Sequence, residues 1–201
     1  MRATRVAVAG ALVTALAGCF SLGSQEPQRY YVLDASAAQA APLRTARAAT
    51  LLVTPTTAST FYDIQDIAFS RAPGARAYYQ YHSWTERPGR RVTELLVTRL
   101  ERDGSFKAVA AVIAGVQGNY VLNTHLTEFY HDAAAAPGSA RVVLTAELVD
   151  PVRRVLLARR TFDRSAPAAT YDAPGAVPAF NQALTAILDD VSAWVDATVP
   201  R

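Results

Sequence analysis

Residues 119–130 read Asn119-Tyr120-Val121-Leu122-Asn123-Thr124-His125-Leu126-Thr127-Glu128-Phe129-Tyr130, a stretch rich in residues that favour β-strands. Tyr120, Leu122 and Leu126 share one face, and a change of phase near Glu128-Phe129 predicts a β-bulge. Two alternating stretches follow, Arg141–Asp150 and Val155–Phe162, with Asp150-Pro151 and the next arginines in the turn between them. The three stretches therefore predict an antiparallel meander.

Two amphipathic helices are predicted on either side of this meander. Upstream, from Pro88, apolar residues recur at helical spacing, and Gly104 follows them as a C-cap. Downstream, an apolar stripe at i, i+3 and i+4 runs through Val177–Val199, with three aspartates opposite. The residues of the two stripes are Val92, Leu95, Leu96 and Leu100, and then Phe180, Leu184, Ile187, Leu188, Val191, Trp194, Val195 and Val199.

The remaining elements are shorter. Strands are predicted at Arg29–Asp34, at Thr50–Thr54 and at Phe106–Val112. A hairpin with a Pro-Gly turn is predicted to join Ala68–Arg71 to Arg76–His82 through Ala72-Pro73-Gly74. The secondary structure of Phe61–Ile67 stays ambiguous, and Ser165–Pro174 is predicted to be a loop. The order of strands and helices predicts an α+β domain, a mixed and mostly antiparallel sheet with the two amphipathic helices packed on it.

The N-terminus has the parts of a secretory signal. Arg2 and Arg5 precede an apolar run that ends in Leu16-Ala17-Gly18-Cys19, and this ending resembles the lipobox of bacterial lipoproteins. Cys19 is the only cysteine and lies at the processing point, which predicts that it is lipidated. A plain signal peptide and a buried structural cysteine are the alternatives. The run is shorter than the ~20 apolar residues that a membrane span needs.

The lipobox divides the chain into three parts. Residues 1–18 are the predicted signal peptide, residues 19–28 a polar tether that starts at the lipidated cysteine, and residues 29–201 a single α+β periplasmic domain. Phe20, not an aspartate, follows Cys19. By resemblance to the sorting rule of well-studied Gram-negative envelopes, this predicts a lipid-anchored protein on the periplasmic face of the outer membrane.

Composition excludes several classes of function. The chain has 201 residues, a formal charge of +3 and scattered arginines, and this is not the footprint of a nucleic-acid-binding protein. A single cysteine allows no internal disulfide. The three histidines, His82, His125 and His131, lack metal-ligand spacing, and Asp63 with Asp66 suits a turn better than a catalytic pair. No phosphate loop or nucleophile elbow occurs, so we expect no cofactor, metal or enzymatic activity.

Aromatic residues are concentrated between the predicted hairpin and the first helix. Tyr78, Tyr79, Tyr81 and Trp84 fall within seven residues of a chain that is only 9% aromatic. Alternation predicts Tyr79 and Tyr81 on one strand face, with Tyr78 and His82 on the other. Because tyrosine and tryptophan are common interface anchors, the four residues form a candidate partner interface. Alternatively, half of them face the core and Trp84 plugs the corner between strand and helix.

Three stretches together resemble the ABC-type transport auxiliary lipoprotein family, the PqiC-like partners of MCE lipid-transport systems. They are Tyr30–Asp34, Tyr81–Trp84 leading into Val92–Leu96, and Leu122–Phe129. The sequence departs from the family pattern at Glu147, where an aromatic residue is expected. The resemblance implies a domain held to the outer membrane that docks onto an MCE-domain protein of an ABC permease and ATPase system, with a homo-oligomeric ring as a possible arrangement. It implies no catalytic residues.

Three functions are compatible with these observations. The first is a non-enzymatic lipoprotein subunit that docks the periplasmic MCE assembly to the outer membrane. The second is a stand-alone lipid-binding or envelope-assembly lipoprotein, with an apolar pocket between helix and sheet. The third is a periplasmic hydrolase whose catalytic residues come together from distant parts of the chain.

Overall fold

The computed structural model describes residues 26–35, 45–112 and 115–200. The predicted signal peptide, Cys19 and the tether up to residue 25 lie outside these ranges. The strands are β1 Arg29–Tyr31, β2 Arg47–Val53, β3 Thr57–Ala58, β4 Asp66–Ser70, β5 Ala77–Trp84, β6 Phe106–Ala111, β7 Tyr120–Asp132, β8 Ser139–Asp150 and β9 Val155–Pro167. The helices are α1 Pro88–Asp103 and α2 Ala173–Thr198, with a short 3-10 turn at Thr60–Tyr62.

The predicted meander is confirmed. Strands β7, β8 and β9 pair antiparallel along almost their whole length. The β7–β8 register shifts between Leu126 and Glu128, next to the position where the change of phase predicts a bulge. The alternate β8 residues that share the inner face, Val142, Leu144, Ala146 and Leu148, are all buried.

The other edge of β7 receives three different strands in succession. β2 pairs in parallel with its start, β3 with its middle and β4 with its end. β6 then extends the sheet beyond β2, while β5 and β1 extend it beyond β4. The result is one mixed sheet in which the long meander is antiparallel and most of the shorter strands join in parallel. This confirms the predicted α+β class.

Helix α1 begins and ends as its sequence predicts, with Pro88 in the first turn and Gly104 in the left-handed conformation just after its last turn. α2 begins earlier than predicted, because the Asp172 side chain caps it by accepting a hydrogen bond from the Gly175 amide. The loop predicted at Ser165–Pro174 is wrong in its first part, since Ser165–Pro167 continue β9 against β8. Within the described residues, no helix has the length and apolar character of a membrane span.

Both helices are joined to the rest of the domain by buried arginines. Arg99 of α1, 4% exposed, pairs with Asp189 of α2 and donates to the Ala35 carbonyl at 3.0 Å. Burial lowers the pKa of the Arg99 guanidinium. Arg47 of β2 reaches Asp196 of α2 at 2.6 Å. These pairs fix α2 over the inner face of the sheet.

Candidate functional site

The structure places Trp84, one of the four candidate interface residues, in the core. Its side chain is 1% exposed, and its ring lies 5.6 Å from that of Phe129 and 5.3 Å from that of Phe180. Trp84 is the last residue of β5, four positions before α1. This position fits the alternative in which the tryptophan plugs the corner between strand and helix.

Tyr78 and Tyr79 are half-buried, and both use their hydroxyl groups inside the chain. The Tyr78 ring stacks on Phe61 at 4.3 Å, and its hydroxyl donates to the Phe61 carbonyl at 2.9 Å. The Tyr79 hydroxyl lies 2.7 Å from Nδ1 of His131, and its ring lies 4.5 Å from that of Phe69. Neither side chain is a free surface anchor.

The predicted alternation along β5 does not hold. The β4–β5 register shifts between Asp66 and Ala68, which breaks the simple alternation of faces. As a result the rings of Tyr79 and His82, expected on opposite faces, approach to 6.1 Å. Tyr81 is half-buried, and the neighbouring Tyr30 on β1 is 63% exposed. Tyr81 thus remains a candidate interface residue, and Tyr30 adds an exposed aromatic side chain on the adjacent strand.

His131 at the end of β7 is buried, a feature that the sequence reading missed. Its Nε2 donates to the Pro137 carbonyl at 2.9 Å, so Nδ1 accepts from the Tyr79 hydroxyl. Burial holds the pKa of His131 below its ordinary value of 6.5, although Pro137, Asp132 and Asp172 act in the opposite direction. Burial also raises the pKa of Tyr79 to about 12. Both side chains therefore stay neutral in the folded protein at neutral pH.

The neutral state of His131 makes stability depend on pH. Below pH 6.5 the unfolded chain binds a proton at this histidine before the folded chain does, so unfolding becomes easier as pH falls. We expect urea unfolding at pH 7.5, 6.5 and 5.5 to show a falling free energy, with a slope from this group of at most about 1.4 kcal/mol per pH unit. The slope should shrink in His131→Gln and persist in His125→Gln, an exposed control. Equal slopes in all three proteins would contradict the assignment.

The sheet face opposite the helices carries a polar array over the meander. Glu147 pairs with Arg159 at 3.4 Å, and Nδ1 of His125 lies 2.8 Å from the Thr57 hydroxyl. These side chains line an open cavity of about 230 Å³. The ion pair gives Glu147, at the position where an aromatic residue was expected, a partner on the neighbouring strand. The described residues contain no group of three His, Cys, Asp or Glu side chains placed to hold a metal ion.

The two candidate carboxylates, Asp63 and Asp66, have separate partners. Asp63 lies 3.5 Å from Arg87 in an exposed ion pair. Asp66 accepts a hydrogen bond from the Ser83 hydroxyl at 3.1 Å. Asp63 follows the 3-10 turn as its C-cap, as the turn interpretation predicts, whereas Asp66 is the first residue of β4.

Comparisons with known proteins identify a family and a fold. A family model described as the ABC-type transport auxiliary lipoprotein component matches residues 31–192. Protein XCC0632 from Xanthomonas campestris is 24% identical, with a TM-score of 0.76 over 85% of this chain and 96% of that chain. An uncharacterized protein at 14% identity has a TM-score of 0.65, over 85% of this chain and 99% of its own.

The hypothetical protein CT253 from Chlamydia trachomatis is 11% identical, with a TM-score of 0.52 over 76% of this chain and 98% of that chain. At these identities the structural likeness shows the fold. No curated protein matches the sequence.

Proposed function

The chain belongs to the family of ABC-type transport auxiliary lipoprotein components, and on that premise we propose that it docks a periplasmic MCE assembly to the outer membrane. The match over residues 31–192 is the observation that carries the proposal. The family is a transport auxiliary component and not an enzyme family. In this role the lipid anchor determines where the protein lies, and the folded surface determines which partner it binds.

The anchor in this proposal is a lipid on Cys19. Two or more acyl chains hold a protein stably to a bilayer, whereas one chain binds only marginally. The tether of residues 19–28 then leads to β1, where Gln28 donates to the Ser83 hydroxyl at 2.9 Å. Anchored this way, the domain needs no spanning helix. Phe20 after the cysteine supports sorting to the outer membrane.

The candidate docking surface near the tether combines Tyr30, which is 63% exposed, with the half-buried Tyr81. Exposed aromatic side chains favour contact with another protein, because their burial removes a large apolar area from water. We propose that this surface contacts either the MCE-domain protein or a neighbouring copy of the chain in a ring. Trp84 is left out of it, because its side chain is already in the core.

Replacement of the lipidated residue tests the anchor directly. Cells that express the full chain and grow with labelled palmitate should label the wild-type protein and not Cys19→Ser. In fractionated envelopes, the wild type should remain in the outer membrane, and Cys19→Ser should not. Equal labelling of the two proteins would overturn the lipoprotein assignment, and labelled protein in the inner membrane would overturn only the localisation.

Docking is tested by purification of the acylated full chain from mild detergent. An MCE-domain protein, identified by mass spectrometry, should accompany the wild type. Phospholipid carried by a monomer with no such protein would favour the stand-alone lipid-binding alternative. Neither copurification of the MCE-domain protein nor binding of phospholipid involves hydrolase activity.

A further inference from the structure

An aliphatic row crosses the helix-free face of the sheet at the start of β7. Strand register places Leu52 opposite Val121, Val121 opposite Val149, and Val149 opposite Leu156. Registered residues of adjacent strands share a face, so these four side chains form one continuous row. With neighbouring strands ~4.8 Å apart, the row is about 14 Å wide.

This row continues into the turn between β8 and β9. Val152 in the turn is 81% exposed, Val116 is 47% exposed and Leu156 is 52% exposed. Val116, Val121, Pro151 and Val152 also line an open cavity of about 360 Å³. We call Val116, Val121, Val149, Pro151, Val152 and Leu156 the turn patch, in which Val121 and Val149 are half-buried and the other four are exposed. The turn patch is an apolar cluster, whereas the part of the same sheet face farther along the meander carries ion pairs.

Arginines border the turn patch. Arg153 and Arg154 follow Val152, and Arg153 lies 3.8 Å from Asp150, whose carboxylate also accepts two backbone N–H groups of the turn. Arg154 has a φ of +57°. This left-handed conformation costs an L residue about 1–2 kcal/mol and suits glycine far better. The fold alone therefore gives no reason for an arginine here, whereas a surface that binds an acidic partner does.

The turn patch lies at the end of the sheet away from the tether. Arg29 of β1 pairs with His82 of β5, the adjacent Ser83 pairs with Asp66 of β4, and Phe69 of β4 pairs with the last part of β7. Arg29 is therefore level with the last part of β7, about eight residues or 25 Å along that strand from Val121. β1 runs opposite to β7, so residues 26–28, just before Arg29, lead away from the patch. A domain held by its N-terminus can thus present the turn patch to a partner beyond the anchoring bilayer.

We propose that the turn patch docks a protein partner through a segment that has an apolar ridge flanked by carboxylates. The inference rests on the proposed function, because it takes the N-terminal tether as the anchored end. The turn patch binds the ridge, while Arg153 and Arg154 pair with the acidic side chains. A bilayer surface fits less well, because none of the six patch residues is a tryptophan or tyrosine of the kind that favours the membrane interface.

The test uses the full acylated chain in intact cells, with the photoreactive residue p-benzoylphenylalanine at position 152. A matched probe at position 32 replaces Val32, which is 55% exposed near the tether end. Illumination should produce a protein adduct from position 152, and mass spectrometry should place the cross-link in a segment rich in apolar and acidic residues. Arg154→Gly in the same chain should reduce the adduct yield by about fivefold.

Arg154→Gly also separates docking from folding. Glycine adopts φ of +57° without strain, so the variant should unfold at the same or a higher temperature than the wild type. Lys107→Gln removes one exposed positive charge from β6 and should leave the adduct unchanged.

Four outcomes would overturn the inference: an adduct with phospholipid, an adduct with a second copy, no adduct at position 152, or a yield unaffected by Arg154→Gly. Palmitate labelling in the same cells shows whether Cys19 is lipidated, independently of the cross-link. Loss of the adduct with normal labelling and normal copurification of the MCE-domain protein therefore refutes the turn patch alone.

Discussion

Trp84→Ala is expected to lower the free energy of unfolding by about 3–5 kcal/mol. Trp84 is 1% exposed and packs between Phe129 of β7 and Phe180 of α2. Alanine would leave a cavity where sheet, strand corner and C-terminal helix meet. This loss is a large share of the ~5–15 kcal/mol by which a typical domain is stable. Urea denaturation at pH 7.5 measures it.

Trp84→Phe provides the matched control. No hydrogen-bond partner for the indole Nε1 is found among the described residues, so phenylalanine removes volume without breaking a hydrogen bond. We expect a loss well below that of the alanine variant, because phenylalanine keeps most of the ring contacts. If both variants unfolded like the wild type, Trp84 would have to lie outside the core, and the interface interpretation would regain support.

Periodicity of the sequence predicted the elements whose contacts are local or whose side chains alternate regularly between two faces. The meander needs only two short turns and a common inner face, and Leu122, Leu144 and Phe162 show that face in the sequence. Both helices follow from their apolar stripes, and Gly104 ends α1 with φ of +66° as a C-cap requires. Local chemistry was sufficient for these elements because each buries one continuous face.

Long-range pairing was not predictable in the same way. The edge of β7 is shared by β2, β3 and β4, and no local pattern states which strand meets which segment. The register shift in the β4–β5 hairpin likewise changed the faces of Tyr79 and His82. A shift in register moves side chains to the other face, so an error in one pairing changes the whole predicted interface.

The candidate site shows the same limit. Tyr78, Tyr79 and Trp84 were prominent in the sequence as aromatics, yet their partners Phe61, His131 and Phe180 come from distant segments. The turn patch was not predicted from the sequence, because Val121, Val149 and Leu156 come together only through strand register. A sequence shows which residues are aromatic or aliphatic, whereas the topology determines which of them remain exposed.

The connection between β7 and β8 depends on one glycine. Gly138 has φ of +84°, and a Cβ there would lie 2.5 Å from Nε2 of His131 and also contact the Asp132 carbonyl oxygen. Gly138→Ala should therefore displace the histidine that bonds Tyr79, as well as strain the backbone. We expect the free energy of unfolding to fall by about 2–5 kcal/mol, since left-handed strain costs ~1–2 kcal/mol and overpacking adds ~1–3 kcal/mol.

Gly74→Ala is the control that isolates the backbone contribution. Gly74 in the β4–β5 turn has a similar φ of +75°, but a Cβ there meets no atom within 4 Å. Its loss should therefore be only the ~1–2 kcal/mol of a left-handed alanine. Urea unfolding of both variants measures the difference, and His131→Gln added to Gly138→Ala should show non-additivity, because the two changes affect the same contact. Equal losses at Gly74 and Gly138 would mean that the connection can relax, and that His131 is not held in place by the close approach of the Gly138 backbone.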